Sequence, residues 1–328
     1  MKKTTTINWG IIGCGDVTEV KSGPAFNKVP GSALVAVMRR NAEKAAGYAR
    51  RHHVAQWYTG ADQLINDPEV NAVYIATPPS SHEQYALAAI AAGKPVYVEK
   101  PMALDHAAAK NITAAAKANN VKLVVAHYRR EWPLFKKLKE LVDEKAVGNI
   151  HLVRLALYKT AYTQAQLADE SIGWRTDPAI SGGGIFHDLA PHQLDILYHI
   201  FGRAKNINGI SLNQAGKYAA DDLVCGNMLF ENGIAFNGTW CFNAHEQSDR
   251  CEFIGDKGKL SFSFFDGGGI NLVTNNSSTH FDFETLQHVQ QPMIERTVQY
   301  FLGNAENPCS GEEGAEIMDW IGKFVQKI

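Results

Sequence analysis

Residues 7–12, Ile7-Asn8-Trp9-Gly10-Ile11-Ile12, form an apolar, β-prone run that flows into Gly13-Cys14-Gly15, where a helix is due to begin. A strand, a tight glycine turn and a helix start, in that order, are the layout that surrounds a dinucleotide pyrophosphate. Gly13 permits the turn, Gly15 lets the backbone approach phosphates with no Cβ in the way, and Asp16 and Val17 lead into the helix. The third position of the G-x-G-x-x-G template is Thr18, and short glycine turns after strands are common without any ligand. The rest of the chain therefore has to decide between a bound dinucleotide and a bare turn.

Beyond the turn, strands and helices alternate, which predicts a doubly wound parallel sheet. A helix over 17–28 is expected to break at Gly23-Pro24, because proline lacks an N–H and restricts the residue before it. Residues 33–38 are a continuous apolar run of the kind buried on both faces of such a sheet. The run ends in Arg39-Arg40, at a point where an acidic residue holds ribose hydroxyls and an arginine accommodates a 2′-phosphate. The pair favours NADP(H), with NAD(H) still open; solvated strand-end arginines are the other reading. A helix over 43–53 precedes a strand from residue 70 that runs into Pro78-Pro79 and cannot continue in a ladder. Its carboxyl end, at Thr77 and Pro78, is where ligands sit in open α/β sheets. His82 starts the next helix, facing either a cofactor or the solvent. A buried strand over 95–98 ends in Glu99-Lys100-Pro101, and long charged side chains are seldom placed at a central strand end without a partner. A helix over 105–119 and a strand over 122–126 follow, and His127-Tyr128-Arg129-Arg130 closes the first domain.

From about residue 151 the alternation stops, and apolar positions of period two begin, the mark of a sheet with one wetter face. Strands over 151–158, 223–230, 234–241, 250–254 and 259–265 read as an antiparallel meander. Phe236, Trp240 and Phe242 are expected on its exposed face, and a broad apolar face finds a partner. A homo-oligomer, dimer or tetramer, follows; ordinary core aromatics are the competing reading. Trp174 and Arg175 lie in a loop before Gly182-Gly183-Gly184, either lining a pocket or serving as core anchor and surface charge. Asp188, His192, Asp195 and His199 recur at helical spacing on one stripe of a helix that stops at Gly202. Such a polar stripe must face water, a metal or a substrate, unless Asp188 is only an N-cap. A two-histidine, two-carboxylate metal site fits the spacing, but Lys100 would bring a competing cation, so no metal is expected. Amphipathic helices over 292–302 and 312–325 carry no functional reading.

Four motifs, in this order and spacing, make the chain resemble the Gfo/Idh/MocA oxidoreductases: Gly10-Ile11-Ile12-Gly13-Cys14-Gly15; Ala76-Thr77-Pro78-Pro79 followed by His82; Glu99-Lys100-Pro101; and Gly182-Gly183-Gly184 with Asp188 and His192. The resemblance implies an α/β, nicotinamide-dependent enzyme. Residues 1–126 would form a Rossmann domain, and residues 127–328 an α/β domain with an open, mostly antiparallel sheet for substrate binding and oligomerisation. Its substrates would be sugars, cyclitols or similar small polyols. By position, Lys100 stands where the family keeps a lysine that approaches the nicotinamide ribose and the substrate. Asp188 and His192 stand where it keeps the pair facing the reacting carbon. The cofactor side would comprise Gly13, Gly15, Asp16, Val17, Arg39, Arg40, Thr77, Pro78, His82, Glu99 and Lys100. The substrate side would comprise Tyr128, Arg129, Trp174, Arg175, Asp188 and His192. Ala190, Pro191 and Thr18 depart from the family pattern without removing a chemical group.

The chemistry expected is hydride transfer to or from a carbinol carbon. His192 would carry the proton, Lys100 would steady the developing alkoxide, and Asp188 would orient His192 or hold a substrate hydroxyl. Competing readings are a nicotinamide-assisted glycosidase or epimerase, and a non-catalytic regulator that senses NADP(H). A length of 328 residues allows two domains, and a net charge of -2 gives no electrostatic footprint for nucleic acid. No apolar run approaches the roughly 18 residues that span a bilayer, and Met1-Lys2-Lys3-Thr4 leads into a glycine turn rather than a signal-peptide core. The five scattered cysteines, without a C-x-x-C pair, read as reduced thiols, so a cytoplasmic protein is expected.

Overall fold

The computed structural model describes residues 5–326, and Met1-Lys2-Lys3-Thr4, on which the expectation of no signal peptide partly rests, lie outside the described residues. The chain packs as two compact units, Met1–Tyr128 with Leu286–Met318, and Arg129–Thr285 with Asp319–Ile328. Among the described residues no helix is long and apolar enough to cross a membrane.

The first unit is built on six strands: β1 Ile7–Ile12, β2 Ser32–Met38, β3 Gln56–Tyr58, β4 Ala72–Ile75, β5 Val96–Val98 and β6 Leu123–Val125. All pair in parallel, in the order β3-β2-β1-β4-β5-β6. Residues of β4, β5 and β6 are buried throughout, which is why these short strands read as unbroken apolar runs. The helix expected over 17–28 is interrupted, but at Lys21-Ser22, between helical turns Asp16–Val20 and Gly23–Phe26; Pro24 sits in the first turn of the second, where its missing N–H costs nothing. β3 has no counterpart in the sequence reading, because Gln56-Trp57-Tyr58 is only three residues long and mostly exposed, too short for an apolar run or an alternation to show.

Division of the sequence in chain order assigns residues 286–318 to the second domain, whereas in the structure they pack within the first unit. The helix Gln291–Leu302 buries Met293, Ile294, Val298 and Phe301, with the Phe301 ring 5.5 Å from that of Trp9 on β1. Of the helix Gly311–Phe324, residues through Met318 count with this unit and the remainder with the second.

The second unit holds eight strands: β7 Ile150–Tyr158, β8 Ala204–Leu212, β9 Leu223–Phe230, β10 Ala235–Cys241, β11 Ser248–Gly255, β12 Gly258–Phe262, β13 Ile270–Thr274 and β14 Ser278–Phe281. Their order is β14-β13-β12-β11-β7-β10-β9-β8. Every pair is antiparallel except β7 with β10, so the sheet is mixed rather than a pure meander. The parallel pair arises because β8-β9-β10 and β11-β12-β13-β14 are two successive antiparallel runs that flank the earlier strand β7 on opposite sides.

One expectation is overturned. Phe236, Trp240 and Phe242 are 1%, 0% and 0% exposed, so they form no outer face. Trp240 lies 5.0 Å from Phe186 of the helix Ile185–Phe201 and 5.5 Å from Phe324, and Phe236 lies 6.2 Å from Phe324. Strand alternation puts these rings on one side of β10, and the chain's own helices cover that side. The other side shows Arg154, Asn237, Thr239, Arg250, Glu252 and Lys259, a wetter surface.

Candidate active site

In the first sheet, strand order reverses between β1 and β4, and the carboxyl ends there form the crevice in which doubly wound folds bind ligands. Three predicted site segments converge on it: the Gly13 turn after β1, Thr77-Pro78 after β4, and Glu99-Lys100 after β5. Gly13 has φ +92°, and a Cβ there would meet the Thr77 backbone N at 2.8 Å, so the two strand ends approach through backbone. At Gly15 an added Cβ would find nothing nearer than 4.0 Å, which leaves the outer side of the turn open. Asp16 is exposed and Val17 half-buried at the helix start. Thr18 replaces the third glycine without loss, since its hydroxyl donates to the Gly15 carbonyl at 2.7 Å and its own carbonyl accepts from Tyr48 Oη at 2.8 Å.

Arg39 reaches across this turn, its Nη1 donating to the Cys14 carbonyl at 3.2 Å, while Arg40 is exposed. Burial pushes the Cys14 thiol up to about 11, so it stays protonated and unreactive at neutral pH. His82 is buried, with Nε2 at 2.7 Å from the Thr77 carbonyl and Nδ1 at 3.0 Å from the Pro101 carbonyl. Burial pulls its pKa down to about 4, and the ring ties the β4 and β5 loops together instead of facing a ligand.

Glu99 is buried, and burial raises its pKa. Its carboxyl group accepts from Tyr74 Oη, from Gln290 Nε2 and, at 3.2 Å, from the Lys100 backbone N–H. Gln290 in turn accepts from Tyr97 Oη at 3.1 Å. Sequence reasoning missed Tyr74, Tyr97 and Gln290; the first two look like ordinary strand residues, and Gln290 arrives from 191 residues away. Lys100 is half-buried, and its peptide bond to Pro101 is cis. Open backbone at Gly15, an arginine on the turn and a lysine at a neighbouring strand end together fit a nicotinamide dinucleotide.

In the second unit the helix Ile185–Phe201 is entered through Gly184, so Asp188 lies inside it and is no N-cap. A Cβ on Gly183 would run into the His187 ring, which accounts for glycine at the middle of the triplet. The Asp188 carboxylate accepts from Arg175 Nε at 2.9 Å, Arg175 Nη1 donates to the Ser171 carbonyl at 2.6 Å, and the guanidinium lies 4.6 Å from the Trp174 ring centroid. Trp174, Arg175 and Asp188 thus form one cluster. Tyr162 joins it electrostatically and was not anticipated; burial raises its phenol, with Arg175 and Asp188 acting in opposite directions.

The polar stripe divides along its length. His192 is buried, its ring centroid 5.8 Å from that of Phe265. Asp195 is held by Arg130, with Nη2 at 2.6 Å and Nε at 3.0 Å, in a pair whose side chains are 1% and 3% exposed. His199 is exposed. Asp195 is therefore committed to an ion pair, and among the described residues no three His, Cys, Asp or Glu side chains are grouped to hold a metal ion. Arg129 is buried, donating through Nη1 to the Phe264 carbonyl and stacking on Trp132 at 4.2 Å and Phe265 at 4.7 Å. Tyr128, also buried, counts with the first unit.

Residues 7–127 match the family model described as oxidoreductase family, NAD-binding Rossmann fold, and residues 135–261 match the GFO/IDH/MocA C-terminal domain. The chain belongs to the Gfo/Idh/MocA family. This Gfo/Idh/MocA protein is 51% identical over 318 residues to oxidoreductase P35 of Formosa agariphila, covering 97% of this chain and 98% of the relative. It is 27% identical over 257 residues to 1,5-anhydro-D-fructose reductase of Ensifer adhaerens, covering 77% and 74% of the two chains. In fold it is similar to levoglucosan dehydrogenase in complex with NADH and levoglucosan, with a TM-score of 0.84 and 21% identity over 97% of this chain and 96% of that one. The Gfo/Idh/MocA chain described here is thus an NAD(P)-dependent oxidoreductase with an NAD-binding Rossmann domain.

Proposed function

We propose that this enzyme interconverts a carbinol and a carbonyl on a sugar, anhydrosugar, cyclitol or similar small polyol. The reading rests on two constellations, one in each unit. Glycine turn, Thr77 and Lys100 stand at adjacent strand ends of a Rossmann sheet, and Asp188 and His192 stand one helical turn apart with Arg175 and Trp174 beside them. Relatives named 1,5-anhydro-D-fructose reductase and levoglucosan dehydrogenase support the substrate class.

When bound, the nicotinamide supplies or accepts the hydride. Lys100 steadies negative charge on the substrate oxygen, and His192 exchanges that oxygen's proton. Asp188, already neutralised by Arg175, holds a substrate hydroxyl or the imidazole in place. Arg39 and the exposed Arg40 favour NADP(H), and NAD(H) is the second choice. The wetter face of the eight-stranded sheet, which carries exposed Ile210, Leu212 and Val273, supports a homo-oligomer joined there. Free cysteines, three of them buried, together with a nicotinamide requirement, support a cytoplasmic enzyme.

The test is a screen of sugars, anhydro-ketoses, levoglucosan, inositols and trans-dihydrodiols with NADPH/NADP+ and NADH/NAD+, read at the nicotinamide absorbance band. Turnover is expected with a polyhydroxylated compound, and dihydrodiols alone being turned over would overturn the substrate class.

A further inference from the structure

The turn Ser263-Phe264-Phe265-Asp266-Gly267-Gly268-Gly269 takes no part in the reading above, yet it is held from three directions. Asp249 on β11 accepts from the backbone N–H of Phe265 and, at 3.2 Å, from that of Asp266. Arg129 donates to the Phe264 carbonyl, and the Phe264 ring stacks on Phe135 at 5.3 Å. Asp249 is half-buried, and burial raises its pKa against the opposing pull of those backbone N–H groups. The side chain that this anchoring presents is Phe265. Its ring is half-buried and stands edge-on to His192, with centroids 5.8 Å apart and planes at 71°, while the Arg129 guanidinium lies 4.7 Å from its own centroid. Arg129 is itself backed by Trp132 at 4.2 Å.

An imidazole on a helix turns about its terminal torsion unless packing stops it, and a half-turn puts a carbon where each ring nitrogen stood. An aromatic edge set against the ring favours one plane over the others. We propose that Phe265, anchored by Asp249 and Arg129, is a positioning residue that fixes the plane of the His192 imidazole. The proposal rests on the role given to His192 under Proposed function. It also moves Arg129 from the substrate to the support of the site, in keeping with the burial of that guanidinium.

The test uses the full chain with Phe265→Ala, Phe265→Leu and Phe265→Tyr, assayed on the best substrate of the screen, and a crystal structure of the Phe265→Ala variant. Phe265→Ala is expected to lower kcat about tenfold or more, since small misplacements of a catalytic group carry large rate effects. The cofactor KM should stay within about twofold, and the His192 ring should adopt a second orientation in the crystal. Phe265→Leu, which fills the space without an aromatic edge, should remain impaired; Phe265→Tyr should restore kcat to within about twofold of wild type. Full activity in the alanine variant, an unmoved His192 ring, or leucine serving as well as phenylalanine each overturns the proposal. If the alanine variant does not fold, the leucine and tyrosine variants decide. His192→Ala, assayed alongside, separates the two layers. Wild-type turnover there removes the catalytic role of His192, whereas lost turnover there with an unaffected Phe265→Ala removes only the positioning role.

Discussion

The parallel sheet and the mixed sheet place reactive side chains by different means. In the first unit Gly13, Thr77 and Lys100 each follow the carboxyl end of a strand, and the adjacency of β1, β4 and β5 brings those ends side by side, so backbone pairing alone assembles the crevice. In the second unit Asp188 and His192 ride on a helix laid over one face of the sheet. Their neighbours, Arg175 and Phe265, come from the short 3-10 helix Trp174–Thr176, where the sequence suggested a loop, and from the turn after β12. A doubly wound sheet locates a ligand by topology, whereas a mixed sheet supplies a platform and leaves location to side-chain pairs. Change of substrate within one fold is then easiest on the second side.

The comparison breaks at once if either side can be silenced without loss. Lys100→Ala and His192→Ala should each lower kcat/KM by about 10²- to 10⁴-fold in steady-state assays, and activity within twofold of wild type would remove that side from the chemistry. Dependence of the second unit on side-chain pairs is sharpened by Asp195→Asn, which leaves the Arg130 guanidinium buried beside a neutral amide. Urea unfolding should show a loss of about 3–5 kcal/mol; an unchanged midpoint would mean that the pair holds nothing.

The two units share one acid-sensitive device. Burial lowers His82 in the first and His187 in the second to about 4, whereas both titrate near 6.5 when the chain unfolds. Between these values the unfolded chain binds protons that the folded chain does not. Stability is therefore full above about pH 6.5 and falls as pH drops toward 4, by up to a few kcal/mol for each ring. Urea midpoints across this range should decline, and His187→Gln should flatten the decline; an unaltered slope would exclude His187 as a contributor. The smallest effect expected is that of Arg40→Asp, which should move the NADPH to NADH ratio of kcat/KM about tenfold toward NADH.

Much of the first unit is legible in the sequence because strands buried on both faces are unbroken apolar runs, and because each site motif sits directly after its strand. The return of residues 286–318 is not legible, since amphipathic helices say which of their faces is buried and not against what, and nothing near Gln290 marks it as a partner of Glu99. In the second unit, alternation locates strands but is the same whichever side is covered. Phe236 and Trp240 look equally suited to a partner subunit and to the core, and only the placement of Phe186 and Phe324 decides. Helical spacing likewise puts Asp188, His192, Asp195 and His199 on one stripe without revealing that Arg130, 65 residues earlier, claims Asp195.

The bond from Arg39 to the Cys14 carbonyl has a consequence for coenzyme engineering. The guanidinium that would discriminate between the two dinucleotides also braces the loop that would grip either of them. Preference and grip are thus mechanically linked at Arg39, and a redesign that begins there weakens the hold on both coenzymes before it re-ranks them. Arg40, which is exposed, is the place to begin if the two properties are to be separated.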